Sequence, residues 1–137
     1  MGMREILFRG KRKDFPGGWV YGWYQPPVKW GNHNFSTAIS HFCDEGWLDD
    51  TEVIPETVGQ FTGISDSNGE KIFEGDVVEI AIEDEPLVVE WCEDSARFVL
   101  SASTFCCDFD NYWGHEMEVI GNIHDNPELL EGRDGNE

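Results

Sequence analysis

The chain has 137 residues, 39% of them hydrophobic and 13% aromatic, which is too rich in large apolar side chains for a disordered protein. A core of this size requires neither a disulfide nor a metal, and no run approaches the roughly 20 apolar residues that span a bilayer. The 28 acidic and nine basic residues give a formal net charge of −19, which opposes binding of duplex DNA or an anionic membrane by the body of the protein.

The N-terminal stretch predicts a hairpin. "EILFR" (5–9) and "WVYGWY" (19–24) both alternate with period two, and "GKRKDFPGG" between them has loop chemistry. Trp19, Tyr21 and Trp23 share one strand face, which we expect to be core. The alternative is a stacking platform for single-stranded nucleic acid, with positive charge from Lys11, Arg12 and Lys13 nearby.

Residues 25–56 are expected to form the longest irregular or inserted segment. Consecutive prolines at 26 and 27 exclude a central strand there. The following "STAISHFCDEGWLDD" fits neither a helical nor a strand period well.

From residue 57 onward the pattern is that of short antiparallel strands separated by turns. Asn68-Gly69 stands between two strand-like runs and predicts a type I′ hairpin turn. "DVVEIAI" places Val78, Ile80 and Ile82 on one face, and similar runs follow at 87–92, 97–102 and 117–123. We therefore predict a mainly β fold, either an antiparallel, partly open barrel or a sandwich.

The chain should end in a short helical turn. Asn126 is placed to cap it and Pro127 to occupy its first position. The tail 132–137 is expected to fray. Together these elements predict one domain over residues 1–137.

Gly63, Gly69 and Gly75 recur at six-residue spacing in "QFTGISDSNGEKIFEGDVVEI". A phosphate-binding loop would need a Lys-Ser/Thr pair and a following helix, and neither is present in the pattern. The glycines are better explained as turn and bulge positions. Asp76, after Gly75, is expected to accept backbone N–H hydrogen bonds there.

No complete catalytic or metal-binding motif is found. "GISDS" lacks the final glycine of a nucleophile elbow, so Ser65 is not predicted to be a nucleophile. Asp108 and Asp110 have calcium-like spacing without the rest of the loop. The four cysteines and four histidines lack zinc-finger spacing, and free thiols are expected in a reducing compartment. The prediction is therefore no catalytic residue, no cofactor and no metal.

Three blocks resemble the YopX family of small phage and prophage proteins. They are "REILFRGKRKD" with "GWVYGWY", then "VGQFTGISDSNGEKIFEGDVVEI", then "VIGNIHDNPELL". The resemblance implies a mostly β, barrel-like fold, an origin in a phage or prophage, a bacterial cytoplasm, and no catalytic residues. The residues that look like the family's signature block are Thr62, Gly63, Asn68, Gly69, Phe73, Glu74, Gly75 and Asp76.

These observations favour a non-enzymatic module that binds a basic host or phage protein, in its sharper form a mimic of nucleic acid. One alternative is a hydrolase with a site built from scattered Asp, Glu and His. Another is a nucleic-acid binder that uses the basic N-terminal arm, although the acidic body disfavours direct contact with nucleic acid. A cytoplasmic location is expected because the N-terminus places its charges after a very short apolar stretch, the reverse of a secretory signal. Homo-oligomerisation stays open.

Overall fold

The computed structural model describes residues 5–14, 18–112 and 116–131. Antiparallel strands dominate these residues, and the helical turns among them are short 3₁₀ turns, so the predicted mainly β fold is confirmed. The chain forms two compact units, residues 1–61 and 62–137. The tail 132–137, which was expected to fray, lies outside the described residues.

The first unit is built on an antiparallel sheet with the order β6-β5-β2-β1-β7, and β3 pairs with β4 in a separate hairpin. The strands are β1 (Phe8–Lys11), β2 (Trp19–Gln25), β3 (Val28–Trp30), β4 (His33–Phe35), β5 (Ala38–Phe42), β6 (Leu48–Glu52) and the start of β7 (Gly59–Ser65).

The predicted N-terminal hairpin is present, with β1 and β2 in antiparallel register. The expectation that its aromatic face is core is wrong, because Tyr21 and Trp23 are each 47% exposed. The buried residue of β2 is Gly22, where a Cβ would clash with the carbonyl oxygen of Ser40 and touch Ile39. It is therefore the opposite face of β2 that packs inward.

The segment 25–56 is not irregular: it holds β3, β4, β5 and β6. Gly31-Asn32 turns the chain between β3 and β4, and Gly31 has φ +61°. A Gly-Asn pair between two strands is a known hairpin signal. The prediction missed it because it rested on the prolines at 26 and 27, which exclude a central strand. The core of this unit contains the fully buried Ile39 and Val53 together with Phe61.

The second unit contains the end of β7 and a five-stranded antiparallel sheet with the order β12-β11-β10-β9-β13. Over the described residues no sheet closes into a barrel, so the expectation of a barrel-like fold is wrong. The two-residue β12 and the strand β13 form the two edges of the five-stranded sheet. The strands are β8 (Lys71–Phe73), β9 (Asp76–Ile80), β10 (Leu87–Cys92), β11 (Arg97–Ser101), β12 (Cys106–Cys107) and β13 (Met117–Asn122).

The core of the second unit is one cluster of buried side chains, among them Ile72, Val78, Ile80, Leu87, Val89 and Leu100. The strand runs predicted from residue 57 onward supply these residues. β12 lies between the predicted runs at 97–102 and 117–123, where no strand was predicted.

The predicted C-terminal helical turn is a 3₁₀ turn at Pro127–Leu130. Asn126 stands at the N-cap position without a side-chain capping bond, since its Oδ1 instead accepts the N–H of Asn122 at 3.2 Å. The other 3₁₀ turns in the described part of the chain are Pro55–Thr57 and Phe109–Tyr112. Among the described residues, no helix has the length and apolar character needed to cross a membrane.

Candidate functional site

The signature turn joins β7 to β8. The N–H of Gly69 donates to the carbonyl of Asp66 at 3.0 Å, and the N–H of Asp66 donates to the carbonyl of Glu70 at 2.8 Å. Gly69 has φ +85°, whereas Asn68 is not among the residues with positive φ. The turn is therefore a type I turn closed by a glycine bulge, and the predicted type I′ turn is wrong. The hairpin itself is confirmed.

Asp66 determines why this turn type forms. Its Oδ1 accepts the N–H groups of Asn68 and Glu70 at 2.9 and 2.8 Å, which fixes the loop in the type I conformation. Its Oδ2 accepts the N–H of Val119 in β13 at 2.9 Å. Burial alone would raise the pKa of the Asp66 carboxyl, but the hydrogen bonds from Val119, Glu70 and Asn68 outweigh it and lower the pKa.

Ser67 attaches the turn to β13 a second time. Its N–H donates to the carbonyl of Met117, and its Oγ accepts the N–H of Met117, both at 2.9 Å. The turn is thus held rigidly against β13 by two successive residues, Asp66 and Ser67. Sequence reasoning found the turn but not this attachment, because about 50 residues separate the partners.

The rest of the signature block also shapes backbone. The Thr62 hydroxyl donates to the carbonyl of Ile72 at 2.9 Å, and Gly63 beside it has φ +90°. Asp76 is almost fully buried, and its Oδ2 accepts the N–H of Phe73 at 2.8 Å, as the sequence predicted. Glu74 and Gly75 form the tight turn between β8 and β9, with φ +93° at Gly75. The three glycines thus occupy the turn and bulge conformations expected of them.

An open groove of about 290 Å³ lies beside the signature turn, and we call it the acidic groove. One wall is the turn itself, through Ser67 and Asn68, and the remaining lining comes from β9, the residues after it, β13 and the residue just before β13. Its lining residues are Ser67, Asn68, Glu79, Ile80, Ala81, Glu83, Glu116 and Glu118.

Two of the groove's carboxylates face each other across the sheet. Glu79 on β9 and Glu118 on β13 are direct antiparallel partners, and both are exposed. Like charges directly opposite each other on adjacent strands destabilise a sheet. A cation placed between them would remove that repulsion.

A buried tyrosine orients a third carboxylate of the groove. The Tyr112 hydroxyl donates to Oε2 of Glu83 at 2.8 Å, and the Cys107 thiol lies 3.6 Å from the same hydroxyl. Burial first, and then the hydrogen bonds with Cys107 and Glu83, raise the pKa of Tyr112 well above its usual value. Tyr112 therefore stays protonated and keeps donating to Glu83. No pattern in the sequence indicates this contact.

The negative charge is concentrated in the unit that carries the groove. Residues 62–137 contain 20 acidic and three basic residues, a formal net of −17, against a net of −2 for residues 1–61. The second unit therefore presents a strongly negative field, which attracts cationic partners and repels anionic ones.

Within the ranges that it describes, the structure does not bring the other candidate residues together into a site. All four cysteines are free thiols, and Cys106 is exposed. Asp108 forms an ion pair with Arg97, 2.6 Å between Nε and Oδ1. Among the described residues no three His, Cys, Asp or Glu side chains come together as metal ligands, and His115 lies outside those residues.

The basic arm is already partly neutralised within the first unit. Arg12 pairs with Asp14 and Lys13 with Glu52, each at 3.1 Å. The exposed Tyr21 and Trp23 leave a stacking platform sterically open, so nucleic-acid binding through this arm stays a hypothesis. The pairing of its cations reduces the charge available for it.

Comparison with known proteins places the chain in context. A family model described as "YopX protein" matches residues 18–131, most of the chain. Protein EF1440 from Enterococcus faecalis, a crystal structure, superposes with a TM-score of 0.56 at 22% sequence identity, over 94% of this chain and 100% of that chain. At this identity the likeness shows the shared fold alone. No curated protein matches the chain.

Proposed function

The chain belongs to the YopX family, and from this premise we propose that it is a non-enzymatic interaction module that binds a basic protein through the acidic groove. The observation that carries the proposal is the convergence of four glutamates, Glu79, Glu83, Glu116 and Glu118, on one concave surface. The resemblance to phage and prophage proteins makes a host or phage protein in a bacterial cytoplasm the proposed partner.

The opposed pair Glu79 and Glu118 supports a cationic partner on energetic grounds. Like charges directly opposite each other on adjacent strands destabilise the sheet. A bound lysine or arginine converts that repulsion into two attractions. The arrangement therefore costs stability in the free protein and strengthens binding in the complex.

The groove is also preorganised. The backbone N–H groups of Ser67 and Asn68 are occupied by hydrogen bonds within the unit, and Glu83 is held by Tyr112. A rigid wall and an oriented carboxylate reduce the ordering that binding would otherwise require. These features suit a protein surface that recognises an exposed basic segment.

The strongly negative second unit narrows the class of partner. Long-range attraction accelerates association with cationic surfaces and falls steeply with salt. A DNA-binding protein presents such a surface, and occupation of it by this module would be mimicry of nucleic acid. That is the sharper form of the proposal.

The test is a pull-down from bacterial lysate with wild-type protein and with the double variant Glu79→Gln/Glu118→Gln. The matched control is Glu90→Gln/Glu93→Gln, which removes the same charge from exposed positions of the same unit outside the groove. We expect wild type and the control to capture a basic protein. The groove variant should capture at least about fivefold less of it, which corresponds to a loss of ~1 kcal/mol in binding free energy.

We expect the groove variant to be at least as stable as wild type, because the substitutions remove the repulsion between Glu79 and Glu118. Thermal melts of all three proteins check this point. Equal capture by the wild type and the groove variant would overturn the assignment of the binding site to the groove.

A further inference from the structure

A second concave surface lies entirely within the first unit, between the β3–β4 hairpin and strands β5 and β6. We call it the hairpin pocket. Its volume is about 480 Å³, within the range of about 300–1,000 Å³ typical of ligand sites. The lining residues are Gln25, Pro26, Val28, Phe35, Ser36, Ala38, Asp50 and Glu52.

One wall of the hairpin pocket is apolar and stands open to solvent. Val28 and Phe35 are directly paired across the hairpin, so their side chains share the face that lines the pocket. Phe35 is 56% exposed and Val28 48% exposed. An aromatic ring and a branched aliphatic chain are thus presented side by side without being used in the core.

The other wall carries two carboxylates. Asp50 and Glu52 lie two residues apart on β6, so both point to the same face of that strand. A relay positions Asp50: Gln25 Nε2 donates to Ser40 Oγ at 2.9 Å, and Ser40 Oγ donates to Asp50 Oδ1. The relay engages Oδ1 of Asp50 and, among the described residues, does not use its Oδ2.

Glu52 is held as a charged acceptor at the pocket. Hydrogen bonds from Ser36 and then from Lys13, with the Lys13 charge, lower the pKa of Glu52. The pair with Lys13 is exposed on both sides, and such pairs contribute only about 0–1 kcal/mol. Another cation can therefore replace Lys13 at low cost.

We propose that the hairpin pocket binds an arginine side chain of the basic partner. The flat guanidinium suits this site because it stacks on an aromatic ring and donates in a fork to carboxylates, here Phe35 with Asp50 and Glu52. The aliphatic stem lies against Val28. A lysine ammonium matches the charge but neither stacks nor forks.

This inference rests on the proposed function for the nature of the partner, since it supplies one residue of a basic protein. It concerns a different surface from the acidic groove. Its test therefore uses a small probe whose binding does not depend on capture of any protein.

The experiment is an NMR titration of ¹⁵N-labelled full-length protein with blocked arginine, blocked lysine and blocked citrulline, each up to tens of millimolar. Citrulline has the shape of arginine without the charge. We expect saturable shifts centred on β3, β4 and β6 with arginine, at least threefold weaker binding of lysine, and none with citrulline.

Two variant pairs locate the site. Phe35→Leu and Asp50→Asn should each weaken arginine binding at least fivefold. Phe42→Leu changes a ring of similar exposure outside the pocket, and Asp49→Asn changes the neighbouring β6 residue on the other face, so both should bind as wild type. The ¹⁵N spectrum of each variant shows whether it is folded.

Equal binding of arginine and citrulline, shifts that do not saturate, or unchanged affinity in folded Phe35→Leu and Asp50→Asn would overturn the proposal. Arginine binding here together with full capture by the groove variant would contradict the acidic groove and leave the pocket standing. If arginine did not bind at the hairpin pocket but the groove variant showed reduced capture, the proposal for the pocket alone would be contradicted.

Discussion

Asp66 combines burial with several backbone hydrogen bonds on one carboxylate. Because its pKa is lowered in the folded protein, its charge stabilises the fold above the unfolded value of about 3.9, and that contribution is lost as the pH falls through the folded pKa.

We predict that Asp66→Asn destabilises the protein by about 1–3 kcal/mol at pH 7, since an amide cannot accept all three N–H bonds. As the pH falls below about 5, the free energy of unfolding should also decrease less in the variant than in wild type. Urea unfolding between pH 3 and 7 measures both effects. Asp84→Asn, in an exposed turn, is the control, and an identical pH profile for Asp66→Asn and wild type would contradict the role given to Asp66.

Gly69 is required for its backbone conformation and not for lack of space around it. A Cβ at this position would meet no atom within 4 Å, yet φ is +85°. Gly69→Val should therefore cost about 1 kcal/mol or more through strain alone, and Gly69→Asn clearly less, because Asn tolerates positive φ. Chemical denaturation compares the two. If the valine variant were as stable as the asparagine variant, strain would not be the cause.

Positive φ at Gly63, Gly69 and Gly75 was predictable, because glycine adopts that conformation without the steric cost that a Cβ brings, and turns and bulges select it. The distant partners of Asp66 and Ser67 were not predictable, since a bond to β13 depends on how the sheets fold together. The type I′ prediction failed for a different, local reason. Asp66 binds the loop backbone and selects the type I geometry instead.

At the scale of elements, the end of strand β9 distinguishes two isoleucines, Ile80 and Ile82, that the period-two pattern places on the same face. Ile80 is 1% exposed in the core, whereas Ile82, beyond the end of the strand, is 57% exposed. Period-two reasoning predicts which face a residue shares but not where the strand ends. The alternation placed both on one face, but only Ile80 is buried there.

Ile80→Ala should destabilise the protein by about 2–5 kcal/mol, the usual cost of a cavity in a core. Ile82→Ala is the matched substitution and should stay within about 0.5 kcal/mol of wild type. Thermal or urea unfolding of the two variants decides. Comparable losses would show that Ile82 is buried in solution.

The hairpins β3–β4 and β5–β6 show what local pattern reasoning misses. Their strands are three to five residues long, too short for a clear period, and every residue of β3 and β4 is exposed. Gly31-Asn32 and Asp44-Glu45-Gly46 carried usable turn signals all the same. The hairpin pocket could not be predicted, because it depends on how one hairpin lies beside another.

For the whole molecule, the pattern of short alternating runs and the family blocks predicted the mainly β class and the family, and both are confirmed. The net charge was equally visible in the sequence. Its uneven distribution along the chain can be counted there too, whereas the boundary of the acidic unit and the convergence of four glutamates at the signature turn required the structure. The interaction surface that we propose is inferred from that arrangement rather than from any one motif.

The most direct measurement is the dissociation constant of the captured basic protein for wild type and for Glu79→Gln/Glu118→Gln, at about 50 and 200 mM salt. The acidic groove predicts that wild-type affinity falls steeply with salt, since the Debye length shortens over this range. The variant should bind more weakly at low salt and show a shallower decline. The same affinity and the same salt dependence in both proteins would contradict binding through the groove.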